Sequence, residues 1–341
     1  MSFDPNRYLN QSVAAVPKSG IRKFFDVAAT IPGSISLGVG EPDFVTPYHI
    51  RNAAINSILD GETQYTSNWG LLELRQEIAA YVDNRFHISY DPKNEILVTV
   101  GASEGIDLAL RALLNPGEEV LDPEPSYVSY APCVIFAGGC PVAVPTSEAN
   151  NFVLTPEALE KAITPKTKAL ILPYPNNPTG RILHKDEADI LEAFMLRHPQ
   201  VYMLSDEVYE KLVYDGAKSI SMGAYPSIHD RVATMNGFSK SAAMTGWRMG
   251  YLAAPKAIYD VAYKLYQHSL SCMSGFLQKG AVEAFSCDYE TEQMRKTYAY
   301  RRDMFTGALN KIPGVRCLKP EGAFYAWVFF DIGGMDSTQM C

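Results

Sequence analysis

The stretch NGFSKSAAMTGWRMG, residues 236–250, follows the short apolar run of residues 232–235. Between Asn236 and Trp247 the only charged residue is Lys240, and Arg248 comes directly after Trp247. A helix on the protein surface would carry more charge than this. The stretch therefore indicates a lysine in a weakly polar pocket beyond a buried strand, with an arginine just behind it.

Short apolar runs alternate with amphipathic segments on both sides of this stretch, from about residue 95 to residue 255. The predicted strands are EILVTVG, EEVLD, KALILPY, VYMLS and VATMN. The predicted helices are ASEGIDLALRALL, SYVSYAPCVIFAG and HKDEADILEAFMLRH. Such alternation is typical of βαβ units and predicts an α/β fold with a mostly parallel sheet that is buried on both faces.

The two ends of the chain differ from this pattern. Residues 1–45 are rich in turn-forming residues, and residues 281–341 contain a long charged helix, at about 289–309, and an apolar strand, FYAWVFF. We therefore expect a large three-layer αβα domain of residues 46–280. A smaller α+β domain is expected from residues 1–45 together with residues 281–341.

Composition excludes several classes of partner. The 341 residues carry a net charge of −8, which argues against nucleic acid or an anionic membrane as the main partner. The sequence contains no apolar run of membrane-spanning length and no basic-then-apolar N-terminus typical of a secretory signal. The 6 cysteines form no CxxC pair, which favours reduced thiols in the cytoplasm. Histidines are scattered, so no metal site is expected.

Polar residues follow four of the predicted strands, at the edge where ligands bind in parallel sheets. Gly101–Gly105 suits a phosphate if it begins a helix, although Ser103 as an ordinary N-cap explains it equally well. The turn NNPTG comes next, and then Asp206 with Tyr209, which share a face if a helix begins there. Asp206 as a helix N-cap is the alternative. Lys240 ends the series.

A ligand with a phosphate, a cationic ring and a carbonyl group would use all of these positions. Pyridoxal 5′-phosphate is such a ligand, because a lysine amine forms a Schiff base with its aldehyde and its ring accepts electrons. Arg248 would then supply a positive charge that binds the phosphate. The alternative for this arginine is a structural ion pair.

Several motifs, in order along nearly the whole chain, resemble those of the class I/II pyridoxal phosphate-dependent aminotransferases of fold type I. They are LGVGEPDF, YTSNWGLLELR, EPSYVSYAP, NNPTG, SDEVYE and NGFSKSAAMTGWRMGY. The motif around Lys240 is the most specific of them. Within the family, the sequence is most similar to the aspartate/aromatic aminotransferase-like branch with the PatA-type enzymes.

The resemblance implies a role for each matching residue. Lys240 is the Schiff-base lysine and proton shuttle, and Asp206 pairs with the protonated pyridine nitrogen. Asn177 and Tyr209 hydrogen-bond the phenolic oxygen of the cofactor. Tyr127 stacks on the ring, although simple core packing would also explain this tyrosine.

Other residues are implied to bind the phosphate or the substrate. Backbone groups of Ala102, Ser103 and Glu104, the Ser239 hydroxyl and the Arg248 guanidinium hold the phosphate. Tyr65 reaches the phosphate of a neighbouring subunit, which implies a homodimer. Gly40 lies near the substrate carboxylate, and Tyr127 and Asn177 also contact substrate.

The implied activity is transfer of an amino group from an L-amino acid to a 2-oxo acid with ping-pong kinetics. One alternative is a pyridoxal phosphate-dependent carbon–sulfur β-lyase, which shares the fold and the lysine. Another is a binding-only relative or a fragment. The residues leave the amino donor open among aspartate, aromatic amino acids, alanine and diaminopimelate-type compounds.

The sequence departs from the family pattern near its end. Family members continue beyond the strand in GAFYAWVFF and carry there an arginine that binds the substrate α-carboxylate. This sequence ends at DIGGMDSTQMC, and Arg301 and Arg316 lie too early in the pattern to match that arginine. We expect this difference to affect substrate binding more than cofactor binding.

Overall fold

A computed structural model describes residues 4–18, 20, 30–33, 35, 37–38 and 40–340. Cys341 and about a third of the predicted N-terminal part of the small domain, including residues 21–29, lie outside the described residues. No helix in the described part of the chain is long and apolar enough to cross a membrane.

The described residues form α-helices whose bounds are α1 Gln11–Ala15, α2 Tyr48–Leu59, α3 Leu72–Phe86, α4 Gly101–Leu113, α5 Tyr130–Phe136, α6 Pro156–Ala162, α7 Lys185–Arg197, α8 Lys256–Ser269, α9 Gly275–Glu283, α10 Asp288–Leu309 and α11 Ser337–Met340. The strands are β1 Ile96–Val100, β2 Glu119–Glu124, β3 Cys140–Pro145, β4 Thr167–Pro173, β5 Tyr202–Asp206, β6 Val232–Gly237, β7 Met249–Ala253, β8 Val315–Cys317 and β9 Val328–Phe330.

Strands β1 to β7 form one sheet in the order β1-β7-β6-β5-β4-β2-β3. The neighbours from β6 to β3 pair in parallel, whereas β7 is antiparallel to both β1 and β6. The carboxyl ends of β1, β2, β4, β5 and β6 therefore lie at one edge. Because β7 runs the other way, its amino end, next to Arg248, lies at that edge too.

Helices cover both faces of this sheet. On one face α4, α5 and α8 pack through residues such as Ile106, Tyr130 and Tyr266. On the other face α2, α3 and α9 pack around Ile78, and α7 packs around Phe194. This three-layer arrangement confirms the predicted α/β fold with a mostly parallel sheet.

The C-terminal part packs in a further hydrophobic cluster that it shares with residues after β5. The long helix α10 agrees with the charged helix predicted at 289–309, and β8 pairs with β9 in a small antiparallel sheet. Met294 and Tyr298 of α10 pack with Tyr209, Tyr214 and Ala323. The predicted domain division at residues 45/46 and 280/281 stays a prediction.

Four local expectations were wrong or incomplete. No helix follows β5, so Asp206 and Tyr209 do not share a helical face; residues 208–211 are a turn. Ser103 is not an N-cap, because α4 begins at Gly101 with Val100 as its N-cap. In FYAWVFF only Val328–Phe330 is a strand. The strands β3 and β7 were missed.

The antiparallel direction of β7 has a simple geometric cause. A parallel return needs a crossover of a dozen or more residues, usually a helix, whereas a short connection joins antiparallel strands. The connection at 238–248 contains turns and one short 3-10 helix, Thr245–Trp247, rather than a crossover helix. The stretch around Lys240 is therefore the loop of a β-hairpin.

Candidate active site

A cavity of about 1240 Å³ opens at the edge where the strands end. Its volume is sufficient for a cofactor and a small substrate. Nearly all residues predicted for the site lie along its wall: Gly40, Ala102, Ser103, Tyr127, Asn177, Asp206, Tyr209, Ser239, Lys240 and Arg248. The fold thus brings together residues that are far apart in the chain.

Lys240 lies in the hairpin loop between β6 and β7. Its Nζ donates a hydrogen bond to the backbone oxygen of Gly40 at 2.5 Å and lies 5.7 Å from the ring centre of Tyr209. Burial is the main reason that the pKa of Lys240 is lowered to about 8, and the charge of Arg248 lowers it further. About a tenth of this amine is therefore uncharged, and so nucleophilic, at pH 7, which is far more than for an ordinary lysine.

Asp206 is the last residue of β5 and is almost fully buried. Its Oδ2 accepts a hydrogen bond from the Tyr130 hydroxyl at 2.7 Å, and its Oδ1 accepts one from the Val208 N–H at 3.3 Å. Burial raises the pKa of Asp206, while the Tyr130 bond, the Val208 bond and the charge of Lys240 lower it. A cation placed against this carboxylate would be stabilised strongly.

Tyr209 follows in the turn after β5 and is also buried. Its hydroxyl lies 2.5 Å from the hydroxyl of Tyr325, and the two rings meet edge to face at 5.6 Å. Burial raises the pKa of Tyr209 well above its ordinary value. Tyr209 therefore stays a neutral phenol that can donate one hydrogen bond into the cavity.

An anion-binding position forms where β1 meets α4. The first N–H groups of α4, at Gly101, Ala102 and Ser103, have no acceptor within the helix, and the helix dipole adds positive potential there. A Cβ on Gly101 would lie only 2.5 Å from Arg248 Nη2, so the guanidinium rests against this helix start. Within the described part of the chain Arg248 forms no ion pair.

Close backbone contact makes this position possible. A Cβ on Gly250 would lie 2.5 Å from Gly101 C and 2.6 Å from Ala102 N, so only glycine lets β7 approach the start of α4. Arg248 itself has φ of 55° and donates from Nη1 to the Thr245 oxygen at 3.2 Å. Ser239 is buried nearby and lines the same cavity.

Glu104 differs from the other predicted phosphate contacts. Its Oε2 accepts a hydrogen bond from the Val100 N–H at 2.6 Å, so its carboxylate caps its own helix. Its backbone N–H is one residue beyond those that lack an acceptor in an α-helix. Glu104 also does not line the cavity. The geometry therefore favours a capping role for Glu104.

The remaining predicted residues, Tyr127, Asn177 and Gly40, also line the cavity. Tyr127 packs edge to face on Tyr130, with ring centres 5.5 Å apart. Asn177 belongs to the NNPTG loop, in which Asn176 Oδ1 accepts hydrogen bonds from Thr179 N–H at 3.0 Å and Thr179 Oγ1 at 2.8 Å. Gly40 is held near Lys240 because its neighbour Glu41 accepts a hydrogen bond from Thr245 at 3.1 Å.

Tyr65 is the predicted residue that this chain does not bring to its own cavity. Its side chain is 91% exposed, and it is not part of the cavity wall. This placement is compatible with the predicted use of Tyr65 by a neighbouring subunit, which stays a prediction.

The cavity-wall residues that sequence reasoning missed include Asp122, Tyr130, Tyr325 and Trp327. Tyr130 lies three residues after Tyr127 within the predicted helix SYVSYAPCVIFAG, and this spacing was a usable signal. Asp122 is buried beside Ser126, whose hydroxyl donates to its Oδ1 at 2.9 Å, and burial raises the pKa of Asp122 to about 6. Tyr325 and Trp327 looked like ordinary strand residues.

Comparison with known proteins agrees with this site. The sequence profile of the family described as aminotransferase class I and II matches residues 32–336. The chain belongs to this family. Aminotransferases of this family use pyridoxal 5′-phosphate to transfer amino groups.

Among the described residues, no group of three or more His, Cys, Asp or Glu side chains is arranged to hold a metal ion.

Named relatives cover most of the chain. It is 43% identical over 334 residues to aromatic-amino-acid aminotransferase 2 of Thermococcus litoralis, covering 97% of this chain and 85% of the relative. It is 43% identical over 327 residues to aspartate aminotransferase of Pyrococcus abyssi, and the match covers 95% of this chain and 84% of that relative. The crystal structure of the aspartate aminotransferase from Rhizobium meliloti superimposes on this chain with a TM-score of 0.90 and 35% sequence identity. The match covers 96% of this chain and 82% of that structure's chain.

Proposed function

We propose that this aminotransferase transfers the amino group of an L-amino acid to a 2-oxo acid, with Lys240 as nucleophile and proton carrier. The observation that carries the proposal is the arrangement of Lys240 in the cavity. Its amine has a pKa of about 8 and shares one cavity with the buried carboxylate of Asp206 and the cationic position formed by Arg248 and the start of α4.

The residues present fit pyridoxal 5′-phosphate. Arg248 and the N–H groups of Gly101, Ala102 and Ser103 would hold the phosphate, and Asp206 would face the protonated ring nitrogen. Asn177 and Tyr209 would hydrogen-bond the phenolic oxygen, and Tyr127 would cover one ring face. When bound, the cofactor supplies an aldehyde that condenses with amines and a ring that accepts electrons.

Lys240 would perform two tasks in turn. As an uncharged amine it would link to the cofactor, and after displacement by the substrate amine it would remove the substrate α-proton as a general base. As a general acid, the resulting ammonium would then donate that proton to the cofactor carbon that carried the aldehyde, and not back to the substrate α-carbon. The low charge around Lys240, among Ser239, Ser241 and Ala242, favours the uncharged form that both tasks require.

The test is a visible absorption spectrum of the chain loaded with pyridoxal 5′-phosphate, before and after amino acids are added. The panel of donors is aspartate, tyrosine, alanine and diaminopimelate, followed by 2-oxoglutarate. We expect a yellow protein that bleaches with at least one donor and recovers its colour with the 2-oxo acid.

Two results would contradict this function. Ammonia and pyruvate released from cystathionine or cysteine, without colour recovery by a 2-oxo acid, would indicate a carbon–sulfur β-lyase. A yellow protein that no donor bleaches would indicate a binding-only relative. The same panel tests the PatA-type assignment. Bleaching by diaminopimelate-type compounds is expected only if the enzyme is of the PatA type.

We also propose that the chain forms a homodimer in the cytoplasm. Helix α2 and the residues after it expose a group of large apolar side chains, namely Tyr48, Ile55, Ile58, Leu59, Tyr65 and Trp69. Single exposed apolar residues are ordinary, but a group of this size on one segment favours an interface. A second copy covering this surface would also bring Tyr65 toward the neighbouring cavity.

Light scattering should give twice the mass of one chain. Leu59→Glu should shift the equilibrium to single chains and lower the affinity for pyridoxal 5′-phosphate about tenfold or more, because Tyr65 then leaves the partner's site. Leu196→Glu, at an exposed leucine on α7, is the matched control and should leave the mass unchanged. A wild-type chain of single mass would contradict the dimer.

A further inference from the structure

Tyr325 makes two contacts with residues of the predicted site. Its hydroxyl lies 2.5 Å from the Tyr209 hydroxyl. A Cβ added to Gly40 would lie 2.2 Å from the Tyr325 hydroxyl oxygen, so Tyr325 also packs directly against Gly40. Tyr325 therefore fills the space between the turn after β5 and the segment that accepts the Lys240 hydrogen bond. No motif used in the sequence reasoning assigns a role to this residue.

The chain around Tyr325 is held firmly. Gly322 N–H and Glu321 N–H donate to the Gly180 oxygen at 2.7 and 2.9 Å, just behind the NNPTG loop. Ala323 N–H donates to the Leu212 oxygen at 2.8 Å, and Ala323 is fully buried with φ of 55°. A left-handed alanine persists only where the surroundings impose it. The segment directly before Tyr325 is thus fixed by contacts with the NNPTG loop and with Leu212.

Aromatic packing fixes the orientation of the two phenols. Phe324 packs on Tyr209 at 5.5 Å and on Tyr298 of α10 at 5.2 Å, and it packs on Tyr325 at 5.1 Å. Lys240 Nζ lies 5.4 Å from the Phe324 ring centre. The Tyr209–Tyr325 hydroxyl pair therefore cannot separate without disturbing a packed cluster.

We propose that Tyr325 is a positioning residue that acts through Tyr209. A phenol has one proton to donate and can also accept a hydrogen bond. If Tyr325 donates to the Tyr209 oxygen, the Tyr209 proton is directed to the phenolic oxygen of the cofactor. Acceptance of the Tyr325 bond also makes Tyr209 the stronger donor, because hydrogen bonds in a chain polarise one another.

This inference rests on the proposed role of Tyr209 and makes a specific prediction. The titratable and charged groups facing Tyr209 are Tyr325, Asp206, Tyr127 and Lys240. A strong donor to the phenolic oxygen stabilises its negative charge, and that lowers the proton affinity of the neighbouring lysine–cofactor nitrogen. Loss of the Tyr325 hydroxyl should therefore raise the pH at which the bound cofactor changes colour.

The experiment is a spectrophotometric pH titration of the loaded protein. Tyr209→Phe should raise the midpoint by about one pH unit, and Tyr325→Phe should raise it by roughly half as much. The double variant should titrate like Tyr209→Phe alone, since Tyr325 has no route to the cofactor once the Tyr209 hydroxyl is gone.

Tyr214→Phe is the matched control. Its hydroxyl donates to the oxygen of Ala323, so it stabilises the same segment without lining the cavity. We expect this variant to titrate like the wild type. A wild-type midpoint in Tyr325→Phe, or additive shifts in the double variant, would overturn the proposal.

Two further results are distinguishable. If Tyr325→Phe fails to bind the cofactor or melts well below Tyr214→Phe, the tyrosine is structural and the proposal is wrong. If the wild-type protein itself shows no pH-dependent colour or no transamination, the proposed function fails first, before any Tyr325 variant is compared.

Discussion

Replacement of Lys240 by alanine is expected to lower kcat for transamination by at least about 10⁴-fold, the upper range for loss of a general base that is also the nucleophile. The structure gives the reason. The Lys240 amine, with its pKa lowered to about 8 by burial, is the only lysine amine among the described residues of the cavity wall. No neighbouring side chain there can replace it as both nucleophile and proton carrier.

Borohydride reduction followed by peptide mass spectrometry tests, without turnover, whether Lys240 is the lysine that binds the cofactor. In the wild type the reduced cofactor should be found on the peptide that contains Lys240, and in Lys240→Ala it should be absent. Cofactor affinity should fall less than activity, because Arg248 and the start of α4 remain. Lys279→Ala, which removes only an ion pair with Glu73, is the control. Label on any other lysine would contradict the assignment.

Asp206→Asn is expected to lower kcat by roughly 10³-fold, because the amide removes the negative charge opposite the ring nitrogen while keeping the side-chain shape. Asp206 is buried, forms no ion pair within the described part of the chain and is held by Tyr130 at 2.7 Å. These contacts orient the carboxylate but leave its charge uncompensated, which favours a cationic partner from the ligand.

Tyr130→Phe provides a graded comparison for the same site. Loss of its hydrogen bond raises the pKa of Asp206 further, so we expect a smaller fall in kcat, about tenfold, that grows as the pH is lowered. Steady-state kinetics between pH 6 and 9 would measure both variants, with the surface change Asp189→Asn as the control. An Asp206→Asn enzyme within tenfold of the wild type would rule out the assigned role.

The sequence predicted most of the site because strand ends in a parallel sheet converge. Asp206 and Lys240 each follow an apolar run, and that position alone placed them at one edge. The prediction erred where it needed local backbone detail. Asp206 and Tyr209 were expected to share a face if a helix began there, but Tyr209 reaches the cavity from a turn. The alternative of Ser103 as an N-cap was wrong, because Val100 occupies that position without a side-chain cap bond.

Residues on the far wall of the cavity gave no such signal. Tyr325 contacts Tyr209 and Gly40 across 116 and 285 residues of sequence, and these contacts depend on how the C-terminal segment packs behind the NNPTG loop. Tyr130 reaches Asp206 across 76 residues. No local pattern encodes such distances, because they follow from packing of whole elements rather than from spacing along one element.

By itself, the sequence determined the alternation of strands and helices, and with it the α/β fold and the edge at which Lys240, Asp206 and Asn177 meet. Hydrophobic periodicity is a local property, so it can be read without the fold. Only the tertiary structure decided that β7 runs antiparallel, that Gly101 and Gly250 let Arg248 reach the start of α4, and that Tyr325 holds Tyr209. Those features depend on contacts between segments that are far apart in the sequence. Such contacts arise because the protein interior is close-packed, and a local sequence pattern does not encode them.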